Sequence, residues 1–345
     1  MVKQFHGNNH FLENIQNKKA TFLLAGAVTQ TCEIEGITQA GIPGLIHLTP
    51  TLDAEFVDSG KLFSLDVMAE TPKGVPTPAI ITRAVKLLSG FDFESVDLGL
   101  RVKPQVETLH HQDIQESKSI QIGADIDAKS IIQKGQAFAA SYTHPNELLI
   151  LGESTPSGTT TAYAVAKALG YKSEGHFSSS FLDAPQSLKE RVVADALSLA
   201  QDKDIYEKLG LVSDNMLLFC AGFVSSFSHK SPIILGGGTQ MAAVLLIIDT
   251  LDLEINTNNV ALMTTRWVYE DPNSDIKGLM AQTKFQIDGY FAEFTFANTL
   301  IPILKSYDKG EAKEGVGAGA ALCYAFIQGF SQEQILKEIE KVLTA

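Results

Sequence analysis

The chain has 345 residues, 45% of them hydrophobic and 19% charged, a globular composition with enough apolar material for one large domain or two ordinary ones. Forty acidic against 27 basic residues leave a formal net charge of −13, which excludes the basic patch or stripe of a nucleic-acid surface. An anionic phosphate ligand would therefore need positive potential built locally, from backbone N–H groups or a single lysine.

The three cysteines, Cys32, Cys220 and Cys323, form no Cys-x-x-Cys pair, so neither a disulfide framework nor a zinc cluster is indicated and a reducing compartment fits. The opening residues lack a charged-then-apolar leader, and apolar runs such as 241–248 fall short of the ~18 residues a membrane span needs. A soluble, cytoplasmic protein is expected.

In chain order, a short helix is expected near 11–16, then strands at 21–25, 95–98 and 148–151. A helix over 159–169 repeats apolar residues at Ala162, Val165, Ala166 and Leu169 and stops at Gly170, a good residue for the left-handed position past a helix end. Ser187 and Glu190 read as a capping box before Val192, Val193, Ala196 and Leu197. Strands at 233–235 and 260–263 follow, and Ser331 with Gln334 caps a final helix carrying Ile335, Leu336, Ile339, Val342 and Leu343. This alternation is the pattern of βα units around a mainly parallel sheet. No repeat or linker cuts the chain. Residues 20–330 are expected to form one large α/β nucleotide-binding domain, and 1–19 with 331–345 a small helical appendage from both termini.

Three strand-to-helix junctions carry residues suited to chemistry. Residues 148–162 run from an apolar strand through Gly152, Glu153, Ser154, Thr155, Pro156, Ser157 and Gly158 into a helix starting with Thr159 and Thr160. Helix-start N–H groups, hydroxyls and the helix dipole together make an anion pocket, although an ordinary capped turn has the same composition. The Gly-Lys-[Ser/Thr] ending of a Walker A loop is absent, so phosphate binding need not mean ATP hydrolysis. At the second junction Gly236, Gly237 and Gly238 stand between strand and helix; three in a row suggest close approach of backbone to a ligand, against a tight turn needing one glycine. At the third, Glu314 precedes the small residues Gly315, Val316, Gly317 and Ala318. Such neighbours leave space beside a carboxylate whose burial would raise its pKa and fit it as a general base, whereas a helix-start Glu can also simply favour the dipole.

Lys189 falls in the first turn of a helix, where a cation conflicts with the positive dipole end unless a phosphate lies beside it; solvent exposure is the ordinary fate of a lysine. The histidines, including His6, His10, His110 and His111, show no metal-ligand spacing, so no metal site is expected. A Gly-x-Ser-x-Gly elbow is also lacking, which argues against a hydrolase triad.

At these residues the chain resembles the nicotinate-nucleotide:dimethylbenzimidazole phosphoribosyltransferases, in particular a divergent archaeal and cyanobacterial-type branch. Gly152-Glu153 with Gly158-Thr159-Thr160 follows the family's Gly-Glu-x-Gly-x-x-Asn-Thr-Thr loop, Lys189-x-x-x-Val193 its Asn-Lys-x-x-x-Val helix, and Glu314-Gly315-x-Gly317 its Gly-Glu-Gly-[Ser/Thr]-Gly-Ala signature. Ile233-Ile-Leu-Gly-Gly and Val96-Asp-Leu-Gly99 match in order between and before them. The first loop carries one extra residue and Gly158 in place of Asn, Lys313 replaces a Gly, and Val316 replaces Ser or Thr.

The resemblance implies a doubly wound parallel sheet with helices on both faces, a small helical domain from both termini, a homodimer and no metal or redox cofactor. The implied reaction moves 5-phosphoribosyl from nicotinate mononucleotide to 5,6-dimethylbenzimidazole or a related base, giving α-ribazole phosphate and nicotinate in cobalamin lower-ligand assembly. On that reading Glu314 is the base; Ser157, Gly158, Thr159, Thr160 and Lys189 hold the phosphate; Glu153 orients ribose or nearby donors; Gly236, Gly237 and Gly238 let backbone approach the ligand; and Gly315 and Gly317 shape the signature loop. The alternatives are a nucleotide-binding homologue without turnover, and a phosphoribosyl or glycosyl transferase with another donor or acceptor.

Overall fold

Runs such as Leu148-Leu-Ile-Leu and Ile233-Ile-Leu are apolar at successive positions, which suits strands covered on both faces by helices. The structure, a computed structural model, describes residues 1–8, 10–182 and 185–345. Its eight strands are β1 (Val2–His6), β2 (Ala20–Gly26), β3 (Asp92–Asp97), β4 (Leu109–His111), β5 (Leu148–Ser154), β6 (Ile233–Gly236), β7 (Val260–Thr265) and β8 (Asp288–Ala292). They form one sheet in the order β1-β8-β7-β6-β5-β2-β3-β4. Every neighbouring pair is parallel except β1 with β8.

The helices among the described residues are α1 (Phe11–Ile15), α2 (Thr49–Ser59), α3 (Ala79–Ser89), α4 (Ala128–Ser141), α5 (Gly158–Ala168), α6 (Gln186–Leu199) and α7 (Ile205–Val212). They continue with α8 (Asn215–Phe227), α9 (Thr239–Thr250), α10 (Arg266–Tyr269), α11 (Ile276–Met280), α12 (Lys305–Asp308), α13 (Ala318–Ile327) and α14 (Gln332–Thr344). Strand alternation sends Leu23, Leu149, Leu151, Leu235 and Leu262 into one apolar layer with α4 to α9. Phe22, Leu24, Ile150, Ile234 and Met263 enter the other, with α2, α3, α13 and α14. The sheet is thus doubly wound. The chain leaves β2 toward β4 on one side and returns at β5 to build outward to β8 on the other. Strand order therefore reverses between β2 and β5, and the crevice beyond the carboxyl ends of strands at such a point is where open α/β sheets hold ligands.

All five expected strands are present, and three more join them. Residues Val2–His6, expected within a helical appendage, instead form the antiparallel edge strand β1. An edge strand of mixed polarity, Val-Lys-Gln-Phe-His, has no clean two-residue period to announce it. Helix α1 buries Phe11 and Ile15, and α14 buries Ile335, Leu336 and Ile339, in the layer that also contains Ala84 and Val85 of α3. The capping box expected at Ser187 and Glu190 is absent: α6 already begins at Gln186, behind Pro185, with no side-chain cap. The Ser331–Gln334 box is present, and Asp204 with Glu207 forms another at α7. Among the described residues no helix is long and apolar enough to cross a membrane.

Helices α4 and α8 cross without an intervening side chain. A Cβ on Gly222 would fall 2.0 Å from the Ile132 carbonyl oxygen, and one on Gly135 would fall 2.2 Å from that of Phe219. Gly222→Ala must push the helices apart, and overpacking of this kind costs about 1–3 kcal/mol. The urea midpoint of the variant should fall accordingly; an unchanged midpoint would show that the crossing relaxes freely.

Candidate active site

The reversal between β2 and β5 opens into a cleft with about 890 Å3 of free space, continuous with solvent. Its floor is the β5–α5 junction and the loop before α13; its walls come from α2, residues 69–78, residues 178–180 and the start of α9.

Strand β5 carries Glu153 to its carboxyl end, where the side chain is buried. The chain then turns through Ser157, whose φ of +68° is a left-handed conformation rarely taken by residues other than glycine. That turn starts α5 at Gly158, where a Cβ would fall 1.8 Å from Gln240 Oε1 and displace that side chain. Around this helix start the hydroxyls of Thr155, Ser157 and Thr160 are buried without a hydrogen-bond partner, as is Gln240 Oε1. Buried polar atoms are normally paired, so several orphans at one helix N-terminus call for a ligand. Three hydroxyl donors at the positive end of a helix dipole fit an anion with several acceptor oxygens.

Lys189 completes that cradle. It is buried, not solvated, with Nζ 3.2 Å from Thr159 Oγ1 and 3.5 Å from the Ser178 carbonyl oxygen. Burial, and secondarily the neighbouring cation of Lys313, lower its pKa to about 8. Lys313 was not anticipated as a site residue. It is buried, pairs with Asp271 Oδ2 at 3.1 Å, and donates to the carbonyls of Ser179 and Phe181 at 3.1 and 2.7 Å. Ser178 Oγ also donates to Asp271 Oδ2, at 2.7 Å. This pair pins the 178–181 segment whose carbonyl meets Lys189.

Glu314 lies in the cleft wall. Its carboxylate accepts hydrogen bonds from the backbone N–H of Thr265 at 3.0 Å, of Gly315 at 3.2 Å and of Gly319 at 3.1 Å, and from Thr264 Oγ1 at 3.2 Å. Burial outweighs these donors and pushes its pKa up to about 7. Glu153 has less support, from Gln240 Nε2 at 3.3 Å and the backbone N–H of Thr155. Burial, then the charges of Glu314 and Asp214, raise its pKa to about 8. Both carboxyl groups are thus raised toward neutrality, and Glu314, with its four donor groups, is the better stabilised anion of the two. Two carboxyl groups in such unequal environments can divide the roles of acid and base.

Of the glycine triplet, only Gly238 lines the cleft; a Cβ there would stand 3.7 Å from Glu314 Cβ. Gly236 and Gly237 serve packing, because a Cβ on either would come within 3 Å of Ala320 Cβ or Met241 Cγ. None of the three has positive φ. Gly315 and Gly317 do, at +153° and +61°. Asp97, matched to the strand-end motif, closes its own turn by accepting from Gly99 and Leu100 N–H at 3.1 and 2.8 Å, outside the cleft lining. Among the described residues no group of three or more His, Cys, Asp and Glu side chains could hold a metal ion. Asp53 of α2 also lines the cleft and was missed by sequence reasoning; an acid set among apolar neighbours in Thr-Pro-Thr-Leu-Asp-Ala-Glu-Phe-Val was the available signal.

The raised carboxyl pKa values predict a pH effect on stability. Glu153 titrates near its ordinary 4.5 when unfolded and at about 8 when folded, so between these values the folded protein binds more protons and stability falls as pH rises. Glu314 acts in the same direction up to about 7. The denaturation midpoint of the ligand-free protein should drop between about pH 5 and pH 8, and Glu153→Gln should flatten much of that drop. A midpoint that climbs with pH in wild type would contradict this electrostatic picture.

No family model matches the chain. Relatives align over nearly its whole length. A UPF0284 protein of Sulfurisphaera tokodaii is 37% identical over 350 residues, covering 99% of this chain and 97% of the relative. One from Sulfolobus acidocaldarius is 36% identical over 344 residues, covering 96% and 98%. Among solved structures, the nicotinate-nucleotide-dimethylbenzimidazole phosphoribosyltransferase of Thermus thermophilus superposes with a TM-score of 0.59 over 94% of this chain and 83% of that one, at 16% identity. The last similarity is one of fold, in keeping with the eight-stranded, mainly parallel sheet. From the near full-length identity to the first two, the chain belongs to the UPF0284 protein family.

Proposed function

We propose that the cleft is the active site of a phosphoribosyltransferase that moves 5-phosphoribosyl from nicotinate mononucleotide to a benzimidazole-type base. The observation that carries this reading is the pairing, in one cleft, of an orphan-hydroxyl anion cradle with two buried carboxyl groups that have unequal sets of hydrogen-bond donors. The fold shared with the Thermus phosphoribosyltransferase supports it.

The phosphate of the donor sits at the start of α5, against the hydroxyls of Thr155, Ser157 and Thr160 and the ammonium of Lys189. This anchors the ribose with its anomeric carbon toward the carboxyl pair. The bond from that carbon to the pyridinium nitrogen breaks, and its electron pair neutralises the ring, which leaves as nicotinate. An unprotonated azole nitrogen attacks from the opposite face with inversion, and the proton on the other azole nitrogen passes to Glu314. No water, metal or redox partner enters the balance. A base with a pKa of about 7 is matched to work near neutrality. Glu153, carrying its proton, is placed to donate a hydrogen bond to ribose or to the departing ring.

Incubation with nicotinate mononucleotide and a panel of azoles, followed by chromatography, should give azole-dependent release of nicotinate. Calorimetric binding of the nucleotide without release from any azole would favour a homologue that binds but does not turn over. Glu314→Gln should lower kcat by a factor on the order of 10²–10⁴ while the fold persists; unchanged turnover removes Glu314 as the base. Lys189→Met should raise KM for the nucleotide by about 10–100-fold, the loss of a charge-assisted contact to phosphate, and an unchanged KM would place the phosphate elsewhere.

A further inference from the structure

Asp53 is a buried carboxyl group in the cleft wall that the transfer chemistry above does not use. Thr77 Oγ1 donates to its Oδ1 at 2.7 Å and Ser154 Oγ to its Oδ2 at 2.7 Å. Among the described residues no basic side chain pairs with it. A carboxylate has roughly four acceptor positions, and two are used here. A buried carboxylate short of donors and lacking a counter-ion is costly unless a ligand supplies what is missing.

Its position identifies that ligand. Through Thr77, Asp53 belongs to the wall that carries Val75, Pro76 and Pro78, and Ala69 and Val316 line the same cleft. This apolar wall suits the face of an aromatic ring. Pro78 abuts the loop that holds Glu314, since a Cβ on Gly315 would lie 3.6 Å from the Pro78 ring. On the transfer reading, a base that presents its azole N–H to Glu314 is placed along this wall, in the same cleft as Asp53. The donor nucleotide is held from the other side, at the start of α5.

We infer that Asp53 is a specificity residue for the acceptor, taking a hydrogen bond from an amino or hydroxyl group on the six-membered ring, so that the chain favours donor-bearing bases over methyl-substituted ones. This rests on the transfer reading, and deepens it by naming the class of acceptor. A site built to accept a hydrogen bond discriminates strongly against an isostere that lacks the donor, because the buried acceptor is then left unpaired.

The test uses two isosteric pairs with the full chain at saturating nicotinate mononucleotide: 5-aminobenzimidazole against 5-methylbenzimidazole, and adenine against 6-methylpurine. In wild type, kcat/KM for the amino member of at least one pair should exceed that of its methyl partner by about tenfold or more. In Asp53→Asn that ratio should collapse to within about threefold. A wild-type ratio near one in both pairs overturns the inference without need of a variant. A variant that slows both members equally, or raises KM for the nucleotide with the ratio intact, also overturns it, by assigning Asp53 to ribose or to the fold. Should no base release nicotinate, the transfer reading fails separately. Calorimetric affinities of the four bases for the nucleotide-loaded protein then decide on Asp53, an amino preference lost in the variant supporting it and equal affinities contradicting it.

Discussion

The site depends on a close contact between glycines, packed against the Phe22 ring and Ala320. Gly317 seats against Gly152 at the end of β5 and Gly236 at the end of β6: a Cβ on Gly317 would fall 3.2 Å from Gly152 Cα, and one on Gly236 would fall 3.3 Å from Gly317 Cα. With no Cβ on these glycines, the Val316 N–H reaches the Glu153 carbonyl at 2.8 Å. Gly319 continues the seam, since a Cβ there would stand 2.0 Å from the Thr264 carbonyl carbon, and its N–H bonds Glu314. The loop thus lies directly on the strand ends and sets Glu314 beside Glu153. Val316, at φ +55°, takes up backbone strain of the kind that functional sites tend to store.

That proximity organises the electrostatics. Asp53, Glu153, Asp214 and Glu314 are all raised above their ordinary values, burial being the first cause in each. Against them stand the buried Lys189 and Lys313, the latter already paired with Asp271. In a chain of net charge −13 an anionic ligand gains little from the overall field. The proposed anion cradle therefore combines what is locally positive: a helix N-terminus, hydroxyl donors and one buried ammonium.

Much of this arrangement was legible beforehand because the relevant signals are local. Strand, turn and helix could be read at 148–169 from an apolar run, a Ser/Thr-rich turn and Gly170, and the order of motifs pointed to the fold. What escaped has a physical reason in each case. The edge strand β1 borrows its register from β8, nearly three hundred residues away, and nothing within Val2–His6 encodes that pairing. Ser187 had the composition of a cap, but the helix starts one residue earlier and leaves its hydroxyl inside the first turn. The glycine triplet looked alike at three positions, yet its members face a helix, a methionine and the cleft in turn. Lys189 is proposed from the sequence as a phosphate ligand, but the role of Lys313 is not legible there, because burial of a cation is decided by distant partners, here Asp271 and the carbonyls of 178–181. Glu153 reads from the sequence as an orienting group; its burial, and then its position within range of Glu314 and Asp214, raise its pKa, and neither is encoded in the local sequence.

The central claim is that one carboxyl group of the Glu153–Glu314 pair keeps its proton at neutral pH while the other is free to accept one. Infrared difference spectroscopy of wild type against Glu153→Gln at about pH 7 reads this directly, because a protonated carboxyl has a carbonyl band distinct from that of a carboxylate. The account predicts a protonated carboxyl band in wild type that disappears in the variant. Absence of that band in wild type, with both groups ionised, would contradict it.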